Sequence, residues 1–189
     1  MKYWNYFKII CHHKYFVFIE CCKEGIIWQG IVHDLSKFSP QEFFASARYY
    51  NGDGNNYEYQ LAWIHHKNHN KHHWEYWIDR NYKNGKFKVV KIPEKYMKEM
   101  YADIVGASRA YNKDEFDKKE PYKYFIENSR YWIMTNDDKI WLMKKLMKLG
   151  GIENRDEWNE VRENLNNYFN HSDIYPSDIE QMINKVSEI

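Results

Sequence analysis

The sequence predicts an all-α fold, a helical bundle followed by further helices, and three observations carry that prediction. Apolar residues recur at steps of three and four along most of the chain, and helix starts and stops are marked by capping residues. The one strand-like signal is the alternation Lys86-Phe87-Lys88-Val89-Val90. At 189 residues the chain fits one domain, or one domain with a helical extension, divided here into a core over 1–111 and an extension over 112–189 packed on it.

The elements follow in order. Between Trp4 and Cys22 a stripe of Tyr6, Ile9, Ile10, His13, Phe16, Val17 and Cys21 is apolar except for His13. That histidine therefore lies on the inward face, and His12 points elsewhere. A short helix from about Ile26 to Leu35 sets Ile27, Ile31 and Asp34 on one face, so an acid stands where a hydrophobic residue belongs. Ser39-Pro40-Gln41-Glu42 is a capping box with Pro at the first helical position, opening a helix to about Tyr50. Asn51 to Asn56 is a loop by composition.

Tyr57 to Lys67 carries Leu61, Ala62, Ile64 and either His65 or His66 at helical spacing, with helix resuming over Trp74 to Ile78 after a bend near Asn70. Asn81 to Val90 reads as a loop or small hairpin. Pro93 then opens a long helix, Glu94 to about Tyr111, with Met97, Met100, Asp103 and Ala107 on one stripe, which makes Asp103 a second acid on an apolar face. Asn112 to Pro121 is a charged loop. Further helices are predicted over Tyr122–Trp132, Asp137–Leu149, Arg155–Phe169 and Ser177–Ile189, with Gly150-Gly151 as a stop and Ser177-Asp178-Ile179-Glu180 as a start.

Charge and composition exclude several functions. Lys plus Arg number 28 against 27 Asp plus Glu, so there is neither a basic field for nucleic acid nor a polybasic tract for anionic membranes. Aromatics make up 19%, which excludes a disordered chain. Cys11 and Cys21 would stand about 15 Å apart on a helix, beyond disulfide reach, and Cys21 and Cys22 are adjacent. The longest apolar stretch, around Tyr15 to Ile19, is too short to span a bilayer. These features predict a cytoplasmic protein without membrane partners.

The histidines are unevenly placed. Five of nine fall between His65 and His73, and His33-Asp34 lies some thirty residues upstream. Imidazole suits zinc, iron, manganese, cobalt and nickel, and a carboxylate hardens a site and can bridge two ions. The plainer alternative is a hydrated histidine tract that binds metal adventitiously. A lone His13 on an apolar face is more often a satisfied core residue than a ligand, and buried Asp34 and Asp103 need a cationic partner, for which Lys37 or Arg109 could serve. Glu42 reads as a cap, or in a metal pocket as a base behind the ligands. His65 and His69 are bystanders or lie behind the ligands. Trp74, Tyr76 and Trp77 belong to the core.

Taken in order, His13, His33-Asp34, His66 with His72 or His73, and Asp103 form a series that resembles the HD-domain superfamily. His33-Asp34-Leu35-Ser36-Lys37 is similar to the HD-[I/L]-G-K segment of the HD-GYP cyclic-dinucleotide phosphodiesterases. Ser36 replaces the usual Gly and no Gly-Tyr-Pro segment is present, so that branch's substrate does not carry over. Over about residues 5 to 111 the chain also resembles a family of small bacterial and phage proteins, through His13-Lys14, Trp28, Gly30, His33-Asp34, Ser36-Lys37-Phe38, Glu42-Phe43, His66, Asn70 and His72-His73-Trp74.

The superfamily resemblance implies an all-α, HD-like bundle that holds one or two divalent ions, whether manganese, iron, zinc, magnesium, cobalt or nickel. With ligand logic it implies Asp34 between two ions, His13, His33 and Asp103 on one, and His66 and His72 on the second, the roles of His72 and His73 being interchangeable. The implied activity is hydrolysis of a nucleotide or other small phosphate ester by a metal-activated water, with Lys37 neutralising a phosphoryl oxygen and His73 near the leaving group. Two other functions fit the same ligands: oxygen activation at a di-iron centre, and sequestration of a small nucleotide without turnover.

Overall fold

The computed structural model describes residues 2–49, 56–83, 85, 87–112 and 115–152. The loop over 51–55 and the helices predicted over 155–169 and 177–189 lie outside the described residues. The fold is all-α. In chain order it comprises α1 (Lys2–Lys23), α2 (Ile27–Val32), α3 (Pro40–Tyr49), α4 (Tyr57–His69), α5 (Glu94–Asn112), α6 (Glu120–Asn128) and α7 (Asn136–Gly150). Short 3₁₀ turns cover Leu35–Phe38, Trp74–Trp77 and Ser129–Tyr131. A two-stranded antiparallel hairpin, β1 (Ile78–Arg80) and β2 (Phe87–Val89), pairs Ile78 with Val89 and Arg80 with Phe87.

Helix α1 packs chiefly along α5, with α2 and α3 beside it. Small residues allow the close approach. A Cβ at Gly106 of α5 would meet the Val17 backbone nitrogen at 2.7 Å, and one at Gly30 of α2 would meet Cys21 Cβ at 2.8 Å. The larger apolar core lies between α5, α6 and α7, where Val105, Phe125, Leu142, Met143 and Leu146 are fully buried. Helices α6 and α7 therefore pack on α5, the helix that also packs along α1. Glu20 of α1, buried, pairs with Lys23 and with Arg109 of α5. Arg109 is thus engaged away from Asp34 and Asp103.

Side-chain and glycine caps close the ends of α4 and α7. Asn56 accepts from the Glu58 and Tyr59 amides at the start of α4, Thr135 caps α7, and Gly151 ends it in the left-handed region at φ 67°. Three local readings need correction. The second helix stops at Val32, not Leu35, and Ile27 and Ile31 are about half exposed, so they share no inward face with the buried Asp34. On α4 the inward residues are Ala62 and His66, one helical turn apart, whereas Leu61 and Ile64 face outward. After Asn70 the chain makes only a 3₁₀ turn before entering β1, so the predicted helix over Trp74–Ile78 is absent. Trp74 and Trp77 pack against the core from that turn, while Tyr76 stays largely exposed. Cys11, Cys21 and Cys22 are all free thiols. Among the described residues no helix is long and apolar enough to cross a membrane.

Candidate metal centre

The site is built around a backbone break. His33 ends α2 in an extended conformation, and Asp34 takes the left-handed region at φ 53°, the one positive φ among the described non-glycine residues. Asp is among the few residues that tolerate it. Lys14 of α1 holds the break in place by donating to the carbonyls of Ile31 and His33, both at 2.7 Å, which satisfies free carbonyls at the end of α2. Beyond it, Ser39 Oγ accepts from the Glu42 amide, but the Glu42 side chain does not complete the capping box and turns into the site instead.

Four elements converge on Asp34. Its Oδ2 lies 3.3 Å from His33 Nε2 and 3.6 Å from His13 Nε2, and its Oδ1 lies 3.5 Å from both His66 Nε2 and His72 Nε2. Asp103 of α5 closes the first group, with Oδ1 3.0 Å from His13 Nε2 and 3.4 Å from His33 Nε2, and its Oδ2 is 3.7 Å from His72 Nε2. His73 Nε2 is 3.0 Å from His66 Nε2. Two sets of four donors result, His13, His33, Asp34 and Asp103, and Asp34, His66, His72 and His73, each compact enough to surround one ion. His72 and His73 both belong to the second set, so the structure places His73 among the donors rather than apart from them.

The set fits a cation. Both Asp34 oxygens and His72 Nε2 are buried and accept or donate no hydrogen bond of good geometry; the Lys37 ammonium is 2.6 Å from Asp34 Oδ2 but out of line for one. Buried polar atoms in such surroundings are expected to have partners, and a metal ion would supply them. His13 Nε2 and His33 Nε2 lie 3.4 Å apart, close enough to share one cation.

Carboxylates behind the ligands fix the ring tautomers. His33 Nδ1–H donates to Glu99 Oε1 at 3.1 Å, leaving Nε2 free for the site, and His72 Nδ1 stands 3.2 Å from the same oxygen, at ion-pair distance though off the hydrogen-bonding direction. His66 Nδ1–H points to Glu42 Oε2 at 3.0 Å, where Ser36 also donates, and Asn70 donates to Ser36 and to the His66 carbonyl. This is the support that metal-bound histidines ordinarily receive. His65 Nδ1 reaches the other Glu42 oxygen at 2.6 Å, and His69 stacks on His65 with its ring outside the donor sets. Glu99 escaped the sequence reading. Its signal was its place one helical turn before Asp103, on the same face of α5.

Acids and cations are interleaved at the centre. Burial pushes the Asp34 carboxyl up, but His33, Lys37 and His66 outweigh it and hold it well below the usual range. Asp103 behaves alike, through His13 and His33. Burial disfavours the His33 imidazolium, yet Asp34, Asp103 and Glu99 raise its pKa well above the ordinary value. For His73, burial and the neighbouring His72 and His66 act together, and the ring is held neutral. Lys37 remains an ammonium because Asp34 and Asp103 override its burial.

A cavity of about 500 Å³ opens onto this centre. His13, Lys37, His66, His73 and Asp103 lie on its wall, together with Tyr6, Tyr59, Trp63, Tyr111 and Tyr124. A family model matches residues 2–148, which hold every donor and the whole described wall of that cavity. The chain belongs to DUF5662. This is a family of unknown function, so DUF5662 membership leaves the chemistry to be argued from the side chains. No curated protein and no solved structure matches the chain.

Proposed function

We propose that this protein is a metal-dependent phosphohydrolase of the HD-domain type, acting on a nucleotide or other small phosphate ester. The observation that carries the reading is the division of Asp34, with Oδ2 toward His13 and His33 and Oδ1 toward His66 and His72. A carboxylate shared between two donor sets suits a pair of divalent ions, and an imidazole-rich set suits manganese, iron, zinc, cobalt or nickel. When bound, such ions supply a coordinated water that ionises near neutral pH and positive charge for a phosphoryl oxygen.

The chain's own residues do the positioning. His13, His33, Asp34 and Asp103 would hold one ion, and Asp34, His66, His72 and His73 the other. Lys37 stands on the cavity wall as an ammonium, the group placed to meet a phosphoryl oxygen. Glu99 and Glu42 keep the ligand rings turned with Nε2 inward. The ring of Trp63 stacks on His66 and lines the cavity beside it.

Metal analysis and anomalous diffraction of protein purified without added metal are expected to find two ions within about 4 Å. Asp34→Asn, which keeps a residue tolerant of the left-handed backbone, is expected to abolish phosphate release while the helical signal is retained. Full turnover in that variant sinks the proposal. Iron without phosphate release in anaerobically purified protein would assign the donors to oxygen activation, which nitrogen-rich ligation also suits. A nucleotide retained stoichiometrically without turnover would identify a sequestering protein.

A further inference from the structure

We infer that the cavity selects a monophosphate ester carrying one flat ring system, of the nucleoside monophosphate class, over polyphosphates and dinucleotides. The inference rests on the hydrolase reading only in placing the phosphoryl group at the donor sets. Three helices define what lies beyond it. On α1 the wall runs from His13 back to Tyr6, on α4 from His66 back through Trp63 to Tyr59, and on α5 from Asp103 forward to Tyr111. With a rise of about 1.5 Å per residue, Tyr59 and Tyr111 lie about 10 to 12 Å along their helices from the donor that each helix carries, while Trp63 stacks directly on His66. The wall thus carries aromatic rings from beside the donors to about two helical turns away, a reach that a phosphate, a sugar and one base would fill.

Charge along the same wall limits the number of phosphates. Among the described residues lining the cavity, Lys37 is the one lysine and there is no arginine, and its ammonium is already beside Asp34. Further phosphoryl groups would lie beyond the ions with no cation to meet them, whereas sites for polyphosphates supply several Lys or Arg contacts. Beyond the donors, the other polar residues on the wall include the neutral Ser46, Ser108 and Asn112 and two acids, Glu42 behind the histidines and Glu120 at the start of α6. Neutral donors and acceptors suit sugar hydroxyls and a base edge, and an acid there repels additional phosphates. A cavity of about 500 Å³ matches the size of site that takes one ligand of nucleotide dimensions.

The test uses the full chain loaded with Mn²⁺. Binding of 5′-nucleoside monophosphates, the corresponding triphosphates and phenyl phosphate is measured by calorimetry, with phosphate and pyrophosphate release followed in the same samples. A monophosphate preferred over its triphosphate by at least about tenfold in affinity or kcat/KM, with affinity weakened in Tyr59→Ala and Tyr124→Ala, is the expected result. Triphosphate bound equally or better overturns the inference and leaves the hydrolase reading standing if phosphate is released. Turnover of phenyl phosphate with neither nucleotide bound overturns the inference in the same way. Selective monophosphate binding without any turnover upholds the selectivity and defeats the hydrolase reading. No binding of any probe by metal-loaded protein defeats the inference.

Discussion

Glu99 provides the sharpest test of how the centre is organised, because one of its oxygens serves both donor sets. Oε1 accepts from His33 Nδ1–H at 3.1 Å and stands 3.2 Å from His72 Nδ1, out of line for a hydrogen bond. Removing a carboxylate behind a metal-bound histidine costs about 10- to 100-fold in metal affinity, or roughly 1.4 to 2.7 kcal/mol. The in-line contact belongs to the His13–His33–Asp34–Asp103 set, so Glu99→Ala is expected to weaken that position by about 100-fold and the His72 position by about tenfold. Glu99→Gln keeps a neutral acceptor at the same place and should show about a tenfold loss at the first position. Two-site calorimetric titration of metal-free protein with Mn²⁺ reads both affinities, and far-ultraviolet circular dichroism checks that α5 is intact. Equal affinities in wild type and Glu99→Ala, or a loss confined to the His72 position, would refute the assignment.

Gly106→Ala should destabilise the fold by about 2 to 3 kcal/mol in chemical denaturation, because the added Cβ would lie 2.7 Å from Val17 N and 2.9 Å from Val17 Cα and force α1 from α5. Metal affinity should fall with it, since His13 and Asp103 ride on those two helices; an unchanged midpoint counts against the close crossing. Burial pushes the Cys21 thiol up to about 12, which leaves about one thiolate in ten thousand at pH 8. Iodoacetamide should therefore modify the exposed Cys22 in folded protein and spare Cys21 until denaturant is added, as mass spectrometry would show. His33, with its pKa raised well above the ordinary value, carries a proton at pH 7 in the metal-free protein and must lose it to coordinate an ion. Metal affinity should therefore rise with pH through the neutral range, and titrations in buffers of different ionisation enthalpy should detect at least one proton released per protein.

How far the site was legible depended on backbone conformation. Where the chain is regular helix, the three- and four-residue period sufficed: His13 and Asp103 lie on the inward stripes assigned to them and meet at 3.0 Å. One helix end legible through its chemistry was the stop at Gly150-Gly151, where Gly151 takes the left-handed region; the caps at Asn56 and Thr135 went unread. The period failed on α2 and α4, where Ile27, Ile31, Leu61 and Ile64 sit outside while Asp34 and His66 are buried. At those positions the inward face is chosen by the polar centre. Ser36, Glu42, Glu99 and the other histidines compensate the buried polar groups, and an apolar count cannot register that exchange.

The adjacent pairs show why no single period could have found the whole set. Neighbours on a helix diverge by about 100° and neighbours on a strand point to opposite faces, so two consecutive ligands can share a centre only where the backbone is neither. His33 and Asp34 meet this requirement through an extended residue followed by a left-handed one, which brings His33 Nε2 to 3.3 Å from Asp34 Oδ2. His72 and His73 meet it in the turn that follows the extended Asn70 and precedes the 3₁₀ turn, and both enter the second donor set. His65 and His66 remain on helix and are split: His66 reaches Asp34, while His65 reaches only the outer oxygen of Glu42. Irregular backbone at 33–34 and 70–73 is therefore what turns a histidine-rich sequence into two convergent donor sets. Lys14, which ties α1 to the carbonyls at the first of these breaks, is as much a part of the centre's construction as the ligands themselves.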